Sequence, residues 1–99
     1  MSFVISHPEA LAMTASDLNS VEFALAAPNM AVAAAATGLP PAAADDISAL
    51  AATQFSAYAV SSQAVSDQAL AVHRSFAAVL GASATWYAAS EAANTIPTM

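Results

Sequence analysis

The chain has no cysteine, and one residue, Arg74, is its entire complement of lysine and arginine. The first absence excludes disulfides, thiol catalysis and cysteine-ligated zinc. The second removes the cations that a phosphate backbone requires, so no nucleic acid is expected among the partners, and docking on an anionic lipid surface is disfavoured. Long apolar runs are also missing. The uncharged stretch 23–44 is interrupted by Pro28, Gly38, Pro40 and Pro41, and the stretch 47–66 is dotted with serine, threonine and glutamine. A spanning helix needs ~20 mostly apolar residues, which neither stretch offers. The opening Met1-Ser2-Phe3-Val4-Ile5-Ser6-His7-Pro8 lacks the cationic and apolar regions of a standard secretory signal peptide.

What is present is alanine and apolar side chains in excess. Of 99 residues, 59% are hydrophobic and 8% charged, with a net charge of −6. This length is at most one domain, 1–99. Two alanine-rich segments, about 8–37 and 46–82, flank the turn Gly38-Leu39-Pro40-Pro41 and read as helices, with a C-terminal segment at about 83–99. The fold class is therefore all-α, a two-helix hairpin. Each helix of a hairpin has one neighbour and hides one stripe, so the surplus apolar surface calls for a partner.

Local signals mark the helix ends. Ser6 followed by Glu9 is a possible capping box, with Pro8 in the first turn, where its missing N–H costs nothing. Gly38 is a plausible stop, and Leu39-Pro40-Pro41 does not continue the helix. Asp45 and Asp46 supply a cap and favourable negative charge to the second helix. Pro28 is expected to kink or locally open the first helix.

In the first helix Leu11, Leu18, Leu25 and Val32 recur every seven residues, and Phe23 and Met30 form a second stripe well round from the first. In the second, Ile47, Leu50, Tyr58, Val65, Val72, Phe76, Val79 and Leu80 share one face. Phe55 and Leu70 lie to one side, and Ser56, Gln63, Asp67 and Arg74 are placed on the far side. The expected partner-binding residues are Phe23, Met30, Phe55, Leu70, Phe76 and Leu80. Alanine lets helix axes approach closely, near the low end of the ~8–10 Å range.

Candidate chemistry is thin. His7 and His73 lack metal-ligand spacing and read as surface or interface residues. The serines sit in no nucleophile turn. Asp17, Glu22 and Asp67 read as solvated, with Asp67 able to approach Arg74. No catalytic, cofactor or metal site is expected, and an enzyme is the last choice. Tyr87 and Glu91, four apart, would share one side of a helix, where the phenol can donate to the carboxylate; from spacing alone they are more simply an ordinary pair near a terminus.

Several elements together resemble the mycobacterial PE family: Met1-Ser2-Phe3-Val4 with Pro8-Glu9-Ala10-Leu11, the turn Gly38-Leu39-Pro40-Pro41-Ala42-Ala43-Ala44-Asp45-Asp46-Ile47-Ser48, and Tyr87-x-x-x-Glu91. The likeness covers essentially the whole chain. It implies an antiparallel hairpin that completes an elongated four-helix-type bundle with a PPE-family protein, as an obligate 1:1 heterodimer. It implies folded export by a type VII (ESX) secretion system. A cytosolic chaperone would hold the pair first, mainly through the PPE subunit, before the secretion ATPase and membrane complex. Pro8 and Glu9 then become the family hallmark at the helix start. Tyr87 and Glu91 become the secretion motif, acting with a Trp-x-Gly turn on the partner. The location implied is secreted or cell-surface, and cytoplasmic with the chaperone before export. Ending at Met99, the chain reads as a short member or as the PE domain of a longer one. The competing readings are a membrane-active amphipathic protein, which would lack the usual cationic face, and a homo-oligomeric helical scaffold.

Overall fold

The computed structural model describes residues 4–95, which form two α-helices, α1 (Pro8–Thr37) and α2 (Asp46–Asn94), with no strand among them. Met1, Ser2 and Phe3 of the opening motif, and residues 96–99 of the expected C-terminal segment, lie outside the described residues. The helices pack against each other as an antiparallel hairpin. They do so in two compact units, one comprising Met1–Glu22 with Val72–Met99, the other Phe23–Ala71.

α1 begins at Pro8, with the amides of Ala10 and Leu11 donating to the His7 carbonyl at 3.1 and 3.3 Å. The expected capping box is replaced: the Ser6 hydroxyl, read as Glu9's partner, donates instead to Glu91. α1 runs as one helix through Pro28, which has no N–H to give to the Ala24 carbonyl. It ends at Thr37, where Gly38 N–H donates to the Ala34 carbonyl at 3.1 Å. Gly38 does not adopt a left-handed conformation. Its lack of a side chain matters for space, because a Cβ there would stand 3.2 Å from the Ala34 carbonyl oxygen.

Asp45 caps α2 as its position predicts. Its carboxylate accepts from the Ser48 amide at 2.7 Å and the Ser48 hydroxyl at 2.9 Å. α2 continues well beyond residue 82, through Gly81 and on to Asn94, so the segment carrying Tyr87 and Glu91 is helix. A single glycine costs a helix only ~1 kcal/mol against alanine, and the alanine-rich stretch that follows sustains the helix.

The side chains between the helices are small. In the first unit the buried or half-buried positions include Pro8, Leu11, Ala15, Leu18 and Glu22 on α1, with His73, Ala77, Leu80, Gly81, Ala84 and Glu91 on α2. In the second they include Ala26, Asn29 and Ala33 on α1, with Ala52, Ser56, Ala59, Gln63, Ser66 and Leu70 on α2. The spacing alternates between three and four residues, as in a coiled-coil seam. Ser56 and Gln63 therefore lie on the packed side of α2, which corrects their expected place on the far side. The Ser56 hydroxyl accepts from the Leu39 amide at 3.1 Å and ties the turn to α2. The buried hydrophobic residues are four alanines, Ala15, Ala52, Ala77 and Ala84, and no large side chain among the described residues is fully buried. At Gly81 a Cβ would lie 3.8 Å from the Ala15 Cβ, an ordinary contact distance, which shows how near the two helices come there.

Candidate functional site

Because the seam takes mostly small side chains and a few leucines, the aromatic and β-branched apolar side chains of the described residues are left outside. On α2, Tyr58 and Val65 in one unit and Val72, Phe76, Val79 and Trp86 in the other are exposed. They recur at helical spacing on a face of α2 turned away from its seam. On α1, Phe23 is 75% exposed and Met30 78%, and Leu25 and Val32 of the heptad stripe are also exposed. Leu11 and Leu18 of that stripe are half-buried against α2. Of the six side chains expected to face a partner, Phe23, Met30, Phe55 and Phe76 are exposed, while Leu70 and Leu80 are half-buried on the seam. Burying one such large side chain contributes ~1.5–3 kcal/mol, so this set outweighs any single surface ion pair, at ~0–1 kcal/mol.

Two grooves accompany these stripes. In the second unit a groove of about 570 Å³ runs between the helices, with Met30, Val60, Gln63, Asp67 and Leu70 among its lining residues. In the first unit a groove of about 560 Å³ lies along α2, lined by Val79, Ala82, Ser83, Trp86, Tyr87 and Ser90. Its walls are the aromatic pair just before Glu91 and the last exposed valine of the stripe. Trp86 is 77% exposed and Tyr87 about half exposed.

Tyr87 and Glu91 do lie one turn apart on a continuous helix. The phenol–carboxylate bond expected between them is not what occupies Glu91. Its Oε1 accepts from both the Ser6 amide and the Ser6 hydroxyl, each at 2.9 Å. The Ser6 N–H, then its hydroxyl, hold the Glu91 carboxyl below its ordinary value; slight desolvation opposes this, and the nearby His7 adds a further lowering. Sequence reading found Glu91 but missed Ser6 as its partner, since 85 residues separate them.

The polar groups that converge elsewhere hold the helices in place. Arg74 donates through Nε and Nη2 to Glu22 Oε1, at 2.8 and 2.5 Å. Glu22 is buried, not solvated as its sequence context suggested, and it rather than Asp67 is the partner of Arg74. His73 Nε2 donates to the Leu18 carbonyl at 2.6 Å, which fixes the proton on that nitrogen. Among the described residues no three His, Cys, Asp or Glu side chains cluster as a metal site. No helix there is long and apolar enough to cross a membrane.

The profile of the PE family matches residues 4–94. The chain is 49% identical to the PE family protein PE13 of Mycobacterium tuberculosis over 94 residues, 95% of each chain. It is 44% identical over 97 residues to the PE-PGRS family protein PE_PGRS1 of the same organism, covering 98% of this chain and 20% of that protein. It is 47% identical over 94 residues to the esterase PE16, also from M. tuberculosis, covering 95% of this chain and 18% of that protein. The chain thus spans nearly the whole of one of these relatives and about a fifth of the other two. On the profile match and these identities, together with the two-helix hairpin, the chain belongs to the PE family.

Proposed function

We propose that this chain is a non-catalytic helical interaction module that forms a 1:1 heterodimer with a PPE-family protein and is exported with it, folded, by a type VII (ESX) secretion system. One observation carries the proposal: the hairpin buries alanines and leaves Phe23, Phe55, Phe76, Trp86 and its valines in solvent. A partner with apolar helix faces would cover them and gain the burial free energy that the hairpin forgoes. Phe23, Met30, Phe55 and Phe76 are the proposed anchors, with Leu70 and Leu80 packed at the border of the seam. Pro8 and Glu9 mark the start of α1, and Tyr87 with Glu91 forms the export mark near the end of α2. The chaperone contact is assigned mainly to the PPE subunit, and the secretion ATPase and membrane complex receive the pair. The mature location is then secreted or cell-surface.

The non-catalytic part of the reading is supported by how the polar side chains are spent. Glu22 with Arg74, Ser6 with Glu91, and Asp45 with Ser48 all secure helices.

Co-expression with PPE-family proteins, followed by co-purification and sedimentation, tests the assembly. The expected result is a stable 1:1 complex with one of them and aggregation of the chain alone. A cooperatively folded monomer that binds none of them would overturn the proposal, and a discrete homo-oligomer would favour a self-assembling scaffold. Secretion of Tyr87→Ala is expected to stop while the complex still forms; normal secretion would remove the export role of that residue.

A further inference from the structure

Ser6 stands two residues before α1 begins at Pro8, and Glu91 lies in the last turn of α2. Both donors that Ser6 possesses, its N–H and its hydroxyl, converge on one oxygen of Glu91. The first turn of a helix leaves amides without intrahelical partners and carries partial positive charge, so a carboxylate there is favourably placed. In a capping box this anion comes from the helix itself, three residues along. Here it comes from the far end of the chain.

We infer that Glu91 is an intramolecular latch, which pins the start of α1 to the end of α2 and so positions the Tyr87 surface, and that its carboxylate is not the group a receptor reads. Glu91 is half-buried with Oε1 occupied, whereas one turn earlier Trp86 and Tyr87 are open to solvent beside the groove of Val79, Ser83 and Ser90. The outward features at this end are therefore aromatic and hydroxylic. The latch makes the Tyr87 surface dependent on folding, because Ser6 and Glu91 meet only after the hairpin has closed. In its consequence for secretion the inference rests on the export role proposed above; the latch itself does not.

The experiment separates a hydrogen-bond acceptor from a charge. Glutamine keeps an acceptor oxygen for Ser6 and removes the charge; alanine removes both. Amide hydrogen exchange over residues 10–14 is measured in the full chain with its partner, for the parent, Glu91→Ala, Glu91→Gln, Ser6→Ala and Tyr87→Ala. Glu91→Ala is expected to speed exchange about tenfold and Ser6→Ala about threefold, since one bond of two remains. Glu91→Gln should fall between the parent and Ser6→Ala, and Tyr87→Ala should stay near the parent. In a secretion assay the order should be parent, Glu91→Gln, Ser6→Ala, Glu91→Ala, with Tyr87→Ala not exported. Unchanged exchange in Glu91→Ala overturns the latch. Normal exchange with lost export in Glu91→Gln also overturns the inference, because the charge is then read directly. If Tyr87→Ala and Glu91→Ala are both exported normally, the export reading fails, and the exchange arm still decides the latch.

Discussion

Arg74, the chain's one lysine or arginine, gives two hydrogens to a single oxygen of Glu22, a carboxylate whose side chain is only 11% exposed. The Arg74 side chain, by contrast, is 68% exposed. The pair is therefore asymmetric. Glu22 has left water and depends on its partner, while Arg74 remains largely hydrated. The bond to Glu22, and then its charge, raise the Arg74 pKa above the ordinary value.

That asymmetry predicts unequal effects of mutation. Arg74→Ala strands a buried carboxylate, whereas Glu22→Gln leaves a neutral acceptor and an arginine that solvent can serve. Thermal melts followed by circular dichroism should rank Arg74→Ala below Glu22→Gln. The double variant Glu22→Leu/Arg74→Leu should melt near the parent or above it. Equal melting of the two single variants would overturn the asymmetry, and melting of both with the parent would show that the pair contributes nothing to holding the helices.

The alanine seam predicts a difference between two neighbouring positions on α2. Ala77 is 2% exposed, whereas Val79, two residues on, faces solvent. Ala77→Leu forces the helices apart and should cost about 1–3 kcal/mol in hairpin stability. Val79→Ser should leave helix content unchanged and weaken the complex with the partner. Denaturant titration of each variant, paired with a binding assay, checks both halves.

Acid should loosen both helix starts. The Asp45 carboxyl is held below its ordinary value, first by the Ser48 amide and then by the Ser48 hydroxyl, and Glu91 is held low by Ser6. A carboxyl with a lower pKa folded than unfolded stabilises the fold above its unfolded value, and that contribution is lost as pH falls through the folded value. The ordinary values are 3.8 and 4.5, so the melting temperature should drop from pH 5 towards about pH 3. Asp45→Asn with Glu91→Gln keeps the acceptors, removes both titrations and should flatten that drop. The raised Arg74 pKa acts oppositely, losing stability only in strong alkali.

Gly81→Ala should stabilise the hairpin. The new methyl meets Ala15 at 3.8 Å, within ordinary contact, and α2 is helical there. Removing a mid-helix glycine is worth about 0.5–1 kcal/mol. A lower melting temperature would show that the helices approach more closely at Ala15 than this distance implies.

Both helices and the turn were legible in the sequence because their signals are local. Asp45 caps Ser48 three residues away, and Gly38 with two prolines cannot extend α1. The packing was not legible, because periodicity shows which residues are apolar but not which stripe the other helix takes. The seam chose Ala77, Ala84, Ser56 and Gln63, and left Val72 and Phe76 outside. Bonds across long separations, Glu22 with Arg74 and Ser6 with Glu91, leave no spacing to read. α2 runs on past residue 82 to Asn94, because the alanines around Gly81 carry the helix through it.

Neutralisation of Arg74 by Glu22 has an electrostatic consequence for the whole molecule. The remaining formal charge of −6 comes from Glu9, Asp17, Asp45, Asp46, Asp67 and Glu91, with no lysine or arginine left to oppose it. Copies of the chain repel one another over a distance set by ionic strength, roughly 10 Å at 0.1 M salt and roughly 30 Å at 0.01 M. Dilute buffer therefore defers self-adhesion of the uncovered aromatics, and concentrated salt permits it. A mate bearing lysine or arginine round its apolar ridge would be drawn in under the same dilute conditions that keep identical copies apart.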